Sequence, residues 1–263
     1  MGVMSKNLLK VIMQEPIKKP FSINGLVEKI ESGYLGPAVL PQKPKKSFSP
    51  SSLAYGAGGG GCPRFWYFKF SGEDQINDSD AYAVANMKNG TLSHTRIQEA
   101  IKKSGLSIAS EIKVIHNDPP IFGFVDDLIK WLDEEVPVEI KTMREEAWQR
   151  RVETGKTPVY HLIQLLIYMR LLQKKRGILL YESKNTHALH AIPIGMTEEY
   201  EAWLDVAFDW MRDVKSAFDK SELPVKPYRS NSKVCKKCPF RDVCLSAGRG
   251  VVKIGPLVEP VSE

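Results

Sequence analysis

Between residues 108 and 194 the chain runs through strand-like and helical segments in an order that few architectures accommodate. Ile108–His116, Ile121–Trp131 and Val136–Thr142 are rich in branched and aromatic residues. Asp118-Pro119-Pro120 separates the first two, and an acidic turn at Asp133-Glu134-Glu135 separates the others. Helical periodicity follows over Arg144–Val152 and Val159–Lys175. The second of these carries a wide apolar face of Leu162, Leu165, Leu166, Tyr168, Met169 and Leu172. Gly177 ends it, two further strands read GILLYES and HALHAIPI, and Thr197–Lys220 is patterned as an amphipathic helix. The class that fits is α/β (α+β), a small mixed sheet flanked by helices.

Upstream, helical periodicity starts at Ser79, as AYAVANMK and then LSHTRIQEAIKK, and stops at Gly105. Residues 1–35 hold two short amphipathic stretches, Lys6–Met13 and Ile23–Ile30, followed by a Pro-, Lys- and Ser-rich segment that reads as an extended connector. The glycine run Gly56–Gly61 lacks the Gly-Lys-Ser/Thr ending of a phosphate-binding loop, so a joint or a close backbone approach is the better reading.

Charge is unevenly placed. The whole chain carries +6, yet residues 1–50 hold eight lysines against three glutamates, and residues 221–253 hold eight basic residues against two acids. The centre is therefore acidic between two basic ends. That pattern points to a polyanionic partner and to carboxylates gathered for a metal, with solvated surface charge as the plain alternative. No apolar run approaches the ~18 residues of a membrane span. Lys6 and Lys10 interrupt the first apolar stretch, which makes it a poor secretory signal. The expected compartment is reducing and cytoplasmic, where four cysteines bind metal or do chemistry sooner than form disulfides.

Glu139-Ile140-Lys141 lies in a predicted strand, so the carboxylate and the ammonium share one face. The preceding strand carries Asp126 and Asp127, one on each side, and a hairpin brings one of them beside Glu139. Two carboxylates and a lysine make a hard-cation site suited to Mg²⁺ or Mn²⁺ and to a water attacking phosphate. The dipeptide alone would be read as a surface ion pair. Its company is Gly90-x-x-x-His94, entering a helix upstream, and His161-x-x-Gln164-x-x-x-Tyr168 on the long helix. A second constellation is Cys235-x-x-Cys238-x₅-Cys244, with Cys62 far upstream. Four thiolates can close a tetrahedral zinc site or hold a cubane, and the one-plus-three arrangement is less typical of zinc.

Taken in order, Gly90…His94, Gly123-Phe-Val-Asp126, Glu139-Ile-Lys141 and Gln164…Tyr168 resemble the signature of the RecB-type nucleases of the PD-(D/E)XK superfamily. With the cysteines, the pattern is most similar to the CRISPR-associated RecB-like exonuclease family and its phage relatives. The resemblance spans roughly residues 51–250. It implies a divalent metal on His94, Asp126, Glu139 and the backbone carbonyl of Ile140, with Lys141 activating water and Gln164 and Tyr168 positioning DNA and the site. It further implies a 4Fe-4S cluster on Cys62, Cys235, Cys238 and Cys244, with Zn²⁺ as the alternative. Asp127 is expected at the surface, and His161 either faces the site or serves the core.

Lys233, Lys236, Lys237 and Arg241 would grip phosphates beside the cluster. Phe65, Trp66, Tyr67 and Phe68 would stack on bases or, more simply, pack around the cysteines. The function expected is metal-dependent exonuclease action on single-stranded DNA. Its partners would be proteins of CRISPR adaptation or of phage replication and recombination. An endonuclease or flap-type mode, or a non-catalytic DNA-binding subunit with zinc, are the alternatives. The expected organisation is a basic extension (1–50), a nuclease core (51–220) and a cysteine-bearing segment (221–263).

Overall fold

The computed structural model describes residues 24–53 and 61–260, so the stretch Lys6–Met13 and residues 56–60 of the glycine run lie outside the described residues. The chain begins with an exposed helix, α1 (Leu26–Ser32). A short strand, β1 (Val39–Leu40), pairs antiparallel with β2 (Gln75–Ile76). Between them lie α2 (Pro50–Leu53) and α3 (Pro63–Ser71). The Lys/Pro/Ser segment is extended as expected, and it is anchored to the core at Phe48. Phe48 is 1% exposed, donates its N–H to Pro120 O and accepts from Phe122 N–H. Its ring lies 4.7 Å from Trp66 and 5.0 Å from Phe70. A phenylalanine so buried contributes about 1.5–3 kcal/mol, enough to hold a polar segment against a core.

One continuous helix, α4 (Ala81–Lys103), replaces the two helical stretches, and Gly90 lies inside it and not at an entrance. Asp80 caps it, accepting from Ala83 N–H at 2.7 Å. A helix of this length absorbs the ~1 kcal/mol cost of an interior glycine. Gly90 faces Thr142, whose Oγ1 would stand 3.8 Å from a Cβ built there.

Five strands follow in the order β3 (Ser107–Asn117), β4 (Pro120–Trp131), β5 (Glu134–Met143), β6 (Arg176–Ser183) and β7 (Leu189–Gly195). Neighbours are antiparallel except β5 and β6, which are parallel. A parallel pair needs a crossover, here supplied by α5 (Glu145–Thr154) and α6 (Val159–Leu171). The β4–β5 turn falls one residue earlier than expected. Leu132 (φ 47°) and Asp133 (φ 66°) form a two-residue turn with positive φ at both positions, which matches the twist of the strands it joins. Glu134 and Glu135 therefore open β5, where Arg176 and Lys174 pair with them at 2.8 and 2.6 Å.

Leu162, Leu165, Leu166 and Met169 of α6 lie beneath the sheet against Leu179 and Tyr181. The same core takes in the aromatic residues of α3 and the long helix α7 (Glu198–Asp219), capped by Thr197. On the other face, Ile97 of α4 packs on Ile129, Val136, Val138 and Ile140. Two short helices, α8 (Lys233–Lys236) and α9 (Arg241–Ser246), carry Cys235 and Cys244, and Cys238 lies between them. Among the described residues no helix is long and apolar enough to cross a membrane.

Candidate active site

β4 and β5 pair from Trp131↔Glu134 to Asp127↔Val138 and then part. The site lies where they part. Val138 and Ile140 face α4, so the alternation of the strand turns Glu139 and Lys141 to the opposite face. Lys141 Nζ meets Glu139 Oε1 at 2.5 Å. Asp126 fills the gap: its Oδ2 accepts from Ile140 N–H at 2.6 Å, and its Oδ1 lies 3.5 Å from His94 Nδ1 on α4. The N–H and C=O of one strand residue point to the same side, so the Ile140 carbonyl is directed to this gap as well.

The electrostatics follow from burial. Glu139 is 1% exposed, and that burial pushes its carboxyl up to about 7 against the pull of Lys141, with Asp126 adding repulsion. Burial lowers the His94 imidazole, but its hydrogen bond and attraction to Asp126 outweigh this and leave it raised. Glu139 Oε2 is buried with no hydrogen-bond partner, an expensive state for a carboxylate oxygen. Two carboxylates, an imidazole and an orphaned carboxylate oxygen suit a hard divalent cation. The carboxylates spend their other oxygens on Lys141, Ile140 and His94. Accordingly, among the described residues no group of three or more His, Cys, Asp or Glu side chains is arranged to hold a metal ion.

The α6 residues approach from below. Gln164 and Tyr168 are buried, and Tyr168 hydrogen-bonds with Gln164 and the Phe124 backbone. Burial, reinforced by Glu139 and Asp126, raises the phenol and keeps it protonated. Gly123 is the reason Tyr168 reaches this place. A Cβ there would stand 2.9 Å from the Tyr168 hydroxyl and 3.2 Å from Pro50 Cδ. We expect Gly123→Ala to displace the ring and cost about 1–3 kcal/mol of stability, as overpacking does. Urea unfolding measures it, and an unchanged midpoint would contradict the packing described.

His161 joins a different contact: Nδ1 lies 3.2 Å from the Tyr181 hydroxyl, and burial, with Lys141 and Arg151 nearby, lowers the ring to about 3. It is a neutral partner of Tyr181, which is itself opposite Lys141 in the β5–β6 register.

Asp127 is not at the surface. It is fully buried, and its oxygens accept from Ser107 Oγ at 2.8 Å and Ser110 Oγ at 2.7 Å. Strand alternation sends it away from Asp126, and the irregular register at Ser107/Ala109 in β3 lies beside the serines that cover it. Nothing in the sequence around Asp127 announced this pocket, because the serines belong to another strand. Glu182, also fully buried, pairs with Arg96 and lies 3.3 Å from His187; it too was missed, since its partners are far along the chain.

Cys62, Cys235, Cys238 and Cys244 all line one cavity of about 270 Å³ between α3 and the segment of α8 and α9. Burial pushes the Cys62 thiol up to about 12 and the Cys238 thiol up to about 11. Phe65, Trp66 and Phe68 are buried and Tyr67 half-buried; the Phe65 and Phe240 rings are 5.4 Å apart. These aromatics are core. Lys233, Lys236 and Lys237 are exposed, whereas Arg241 is half-buried and holds Asp78 through two hydrogen bonds of 2.6 and 3.1 Å.

Comparisons with known proteins agree with this architecture. Residues 98–245, more than half of the chain, match the family model described as the PD-(D/E)XK nuclease superfamily. Among solved structures, LHK-Exo in complex with dAMP superposes with a TM-score of 0.52 at 13% identity, over 74% of this chain and 95% of that one. The structure titled as the alkaline exonuclease LHK-Exo from Laribacter hongkongensis gives 0.47 at 14%, over the same shares. SSO0001 gives 0.44 at 17%, over 84% of this chain and 95% of that one. No curated protein matches. The match to the family model covers the parted strands, Glu139-Ile-Lys141 and the α6 residues beneath them, and the chain belongs to the PD-(D/E)XK nuclease superfamily.

Proposed function

We propose that the protein is a divalent-metal-dependent deoxyribonuclease that hydrolyses phosphodiester bonds at single-stranded DNA ends. The observation that carries the reading is the gap between β4 and β5. There Asp126, the orphaned Glu139 Oε2, the Ile140 carbonyl side and Lys141 converge, with His94 above. His94, Asp126, Glu139 and Ile140 O would hold the Mg²⁺ or Mn²⁺ ion, which supplies a lowered water pKa and charge neutralisation at the phosphate.

The protein's own groups do the rest. Lys141, tethered by Glu139 and 21% exposed, is placed to orient the attacking water and meet the charge developing on the scissile phosphate. The Tyr168 phenol, held protonated, supports the β4 backbone at Phe124 and so fixes Asp126 two residues on. Lys233, Lys236 and Lys237 offer exposed charge to a phosphate backbone.

The four cysteines would hold a 4Fe-4S cluster that staples the helix after Cys62 to the C-terminal segment. Their sharing of one cavity supports this reading. In this reading residues 1–50 are a basic extension, 51–220 the nuclease core and 221–263 the cluster segment. The family resemblance favours partners from CRISPR adaptation or phage replication and recombination.

End-labelled single- and double-stranded DNA, incubated with Mg²⁺, Mn²⁺ or EDTA, tests the reading. Metal-dependent release of nucleotides from single-stranded ends is expected, abolished by EDTA. Internal cuts in circular single strands would move the reading to the endonuclease mode. Binding without cleavage in either metal would move it to a non-catalytic subunit.

A further inference from the structure

Arg64 is, among the described residues, the only cation in the buried set, at 1% exposure. Of the other buried charges, two have an opposite charge beside them and one is held by hydroxyls. Glu139 has Lys141, Glu182 has Arg96, and Asp127 has two serines. Arg64 has no carboxylate. Its Nε donates to Pro224 O at 2.6 Å, Nη2 to Gly248 O at 2.7 Å, and Nη1 to Cys244 O at 3.2 Å, with Cys244 Sγ at 3.6 Å from the same nitrogen. Three carbonyls, one on each nitrogen, orient its plane, but they leave a full positive charge in the interior, where it is costly unless a negative charge lies near. Arg64 lines the cavity shared by the four cysteines.

We propose that Arg64 is the counter-cation of a tetrathiolate metal group, a positioning residue that holds Nη1 on the Cys244 sulfur and offsets half of the group's charge. The proposal rests on the reading of the four cysteines as one metal site. A 2+ cubane and a zinc ion, each bound by four thiolates, are both dianionic, so either calls for the same counter-charge. A neutral thiol makes only a weak partner for a guanidinium; a metal-bound thiolate makes a charge-assisted one. The geometry also explains why the cation is arginine. Its planar fork meets three fixed carbonyls at residues 224, 244 and 248 while addressing the sulfur, which a lysine point charge cannot do. Because it follows Cys62 by two residues and binds only the C-terminal segment, Arg64 brings the early cysteine and the late three around one cavity.

The test is anaerobic purification of the full chain and of Arg64→Met, Arg64→Gln and Arg64→Lys. Iron, sulfide and zinc per chain, the one-electron midpoint of the loaded protein, and folding by circular dichroism are measured. Arg64→Met should lose metal severalfold. In its loaded fraction reduction should be at least tenfold less favourable, about 59 mV, because the added electron meets no counter-charge. Arg64→Lys should recover the midpoint while recovering occupancy less well.

A role limited to bridging the carbonyls would leave the midpoint where it was. Parental metal content and midpoint in Arg64→Met, or a midpoint for Arg64→Lys no nearer the parent, overturns the proposal while the metal site stands. Should Arg64→Met not fold, Arg64→Gln replaces it. Should neither neutral variant fold, Arg64→Lys alone decides, a tenfold loss in its reduction equilibrium being the overturning result. If the parent carries zinc, competition with a chelator replaces the midpoint. Tenfold weaker retention in Arg64→Met but not in Arg64→Lys is expected, and equal retention overturns the proposal. A parent that binds neither metal removes the tetrathiolate reading itself, and Arg64 with it.

Discussion

Glu139→Gln and Lys141→Ala should each reduce metal-dependent DNA hydrolysis by about 10³-fold or more, the scale seen when a group acting on transition-state charge is lost. The two variants should differ in stability. Glutamine keeps the shape of Glu139 and offers Lys141 an amide oxygen, and it relieves a carboxylate whose Oε2 is buried without a hydrogen-bond partner. Its melting temperature should stay within a few degrees of the parent or exceed it, as happens where function stores destabilisation. Lys141→Ala instead leaves Glu139 buried beside Asp126 with its cation removed, and breaking such a pair costs about 3–5 kcal/mol. Activity and thermal unfolding on the same preparations check both parts. Undiminished cleavage by both variants would remove the active-site assignment.

Substitution at the cysteines carries the second large effect. The anaerobically purified parent should be brown and hold about four irons per chain, the content of a cubane, and Cys238→Ser should lose them. Cys62 and Cys235 are far apart in sequence, so a shared group closes a long loop and restricts the unfolded chain. Its loss should lower the melting temperature sharply and expose the segment around α8 and α9 to protease, while the sheet keeps its far-ultraviolet signal. That sparing is expected because the sheet also packs on α4 through a second apolar cluster, Ile97 with Ile129, Val136, Val138 and Ile140, which the cysteine segment does not enter. Stoichiometric zinc with no iron in the parent would refute the cluster and leave the staple.

Much of the architecture was legible because it depends on local pattern. The three strands Ile108–His116, Ile121–Trp131 and Val136–Thr142 are observed within two residues at each end, and the long apolar helix starts at Val159 as read but ends at Leu171, short of Lys175, while Gly177 lies inside β6 and does not end it. Glu139 and Lys141 share a face because a strand alternates, which two residues suffice to state. Errors came where a local signal was overruled. Gly90 carries the mark of a helix boundary, yet α4 runs through it, since a long helix capped by Asp80 absorbs one glycine's propensity. The acidic turn moved by a residue because Leu132 and Asp133 take the two positive-φ positions of a two-residue turn, which leaves Glu134 and Glu135 to open β5 beside Arg176 and Lys174.

The sequence by itself determined the order of elements, the face that Glu139 and Lys141 share and the grouping of three late cysteines, all of which follow from backbone periodicity and short spacing. Only the tertiary structure decided that β4 and β5 part beyond Asp127, opening the gap that Asp126 fills. It alone buried Asp127 under two serines, set Tyr168 against Gly123, and enclosed Arg64 among three carbonyls and a cysteine sulfur. The reason is common to all four. Burial and desolvation are set by residues distant in the chain, and a charge shows its cost only when the surface that would have hydrated it is covered.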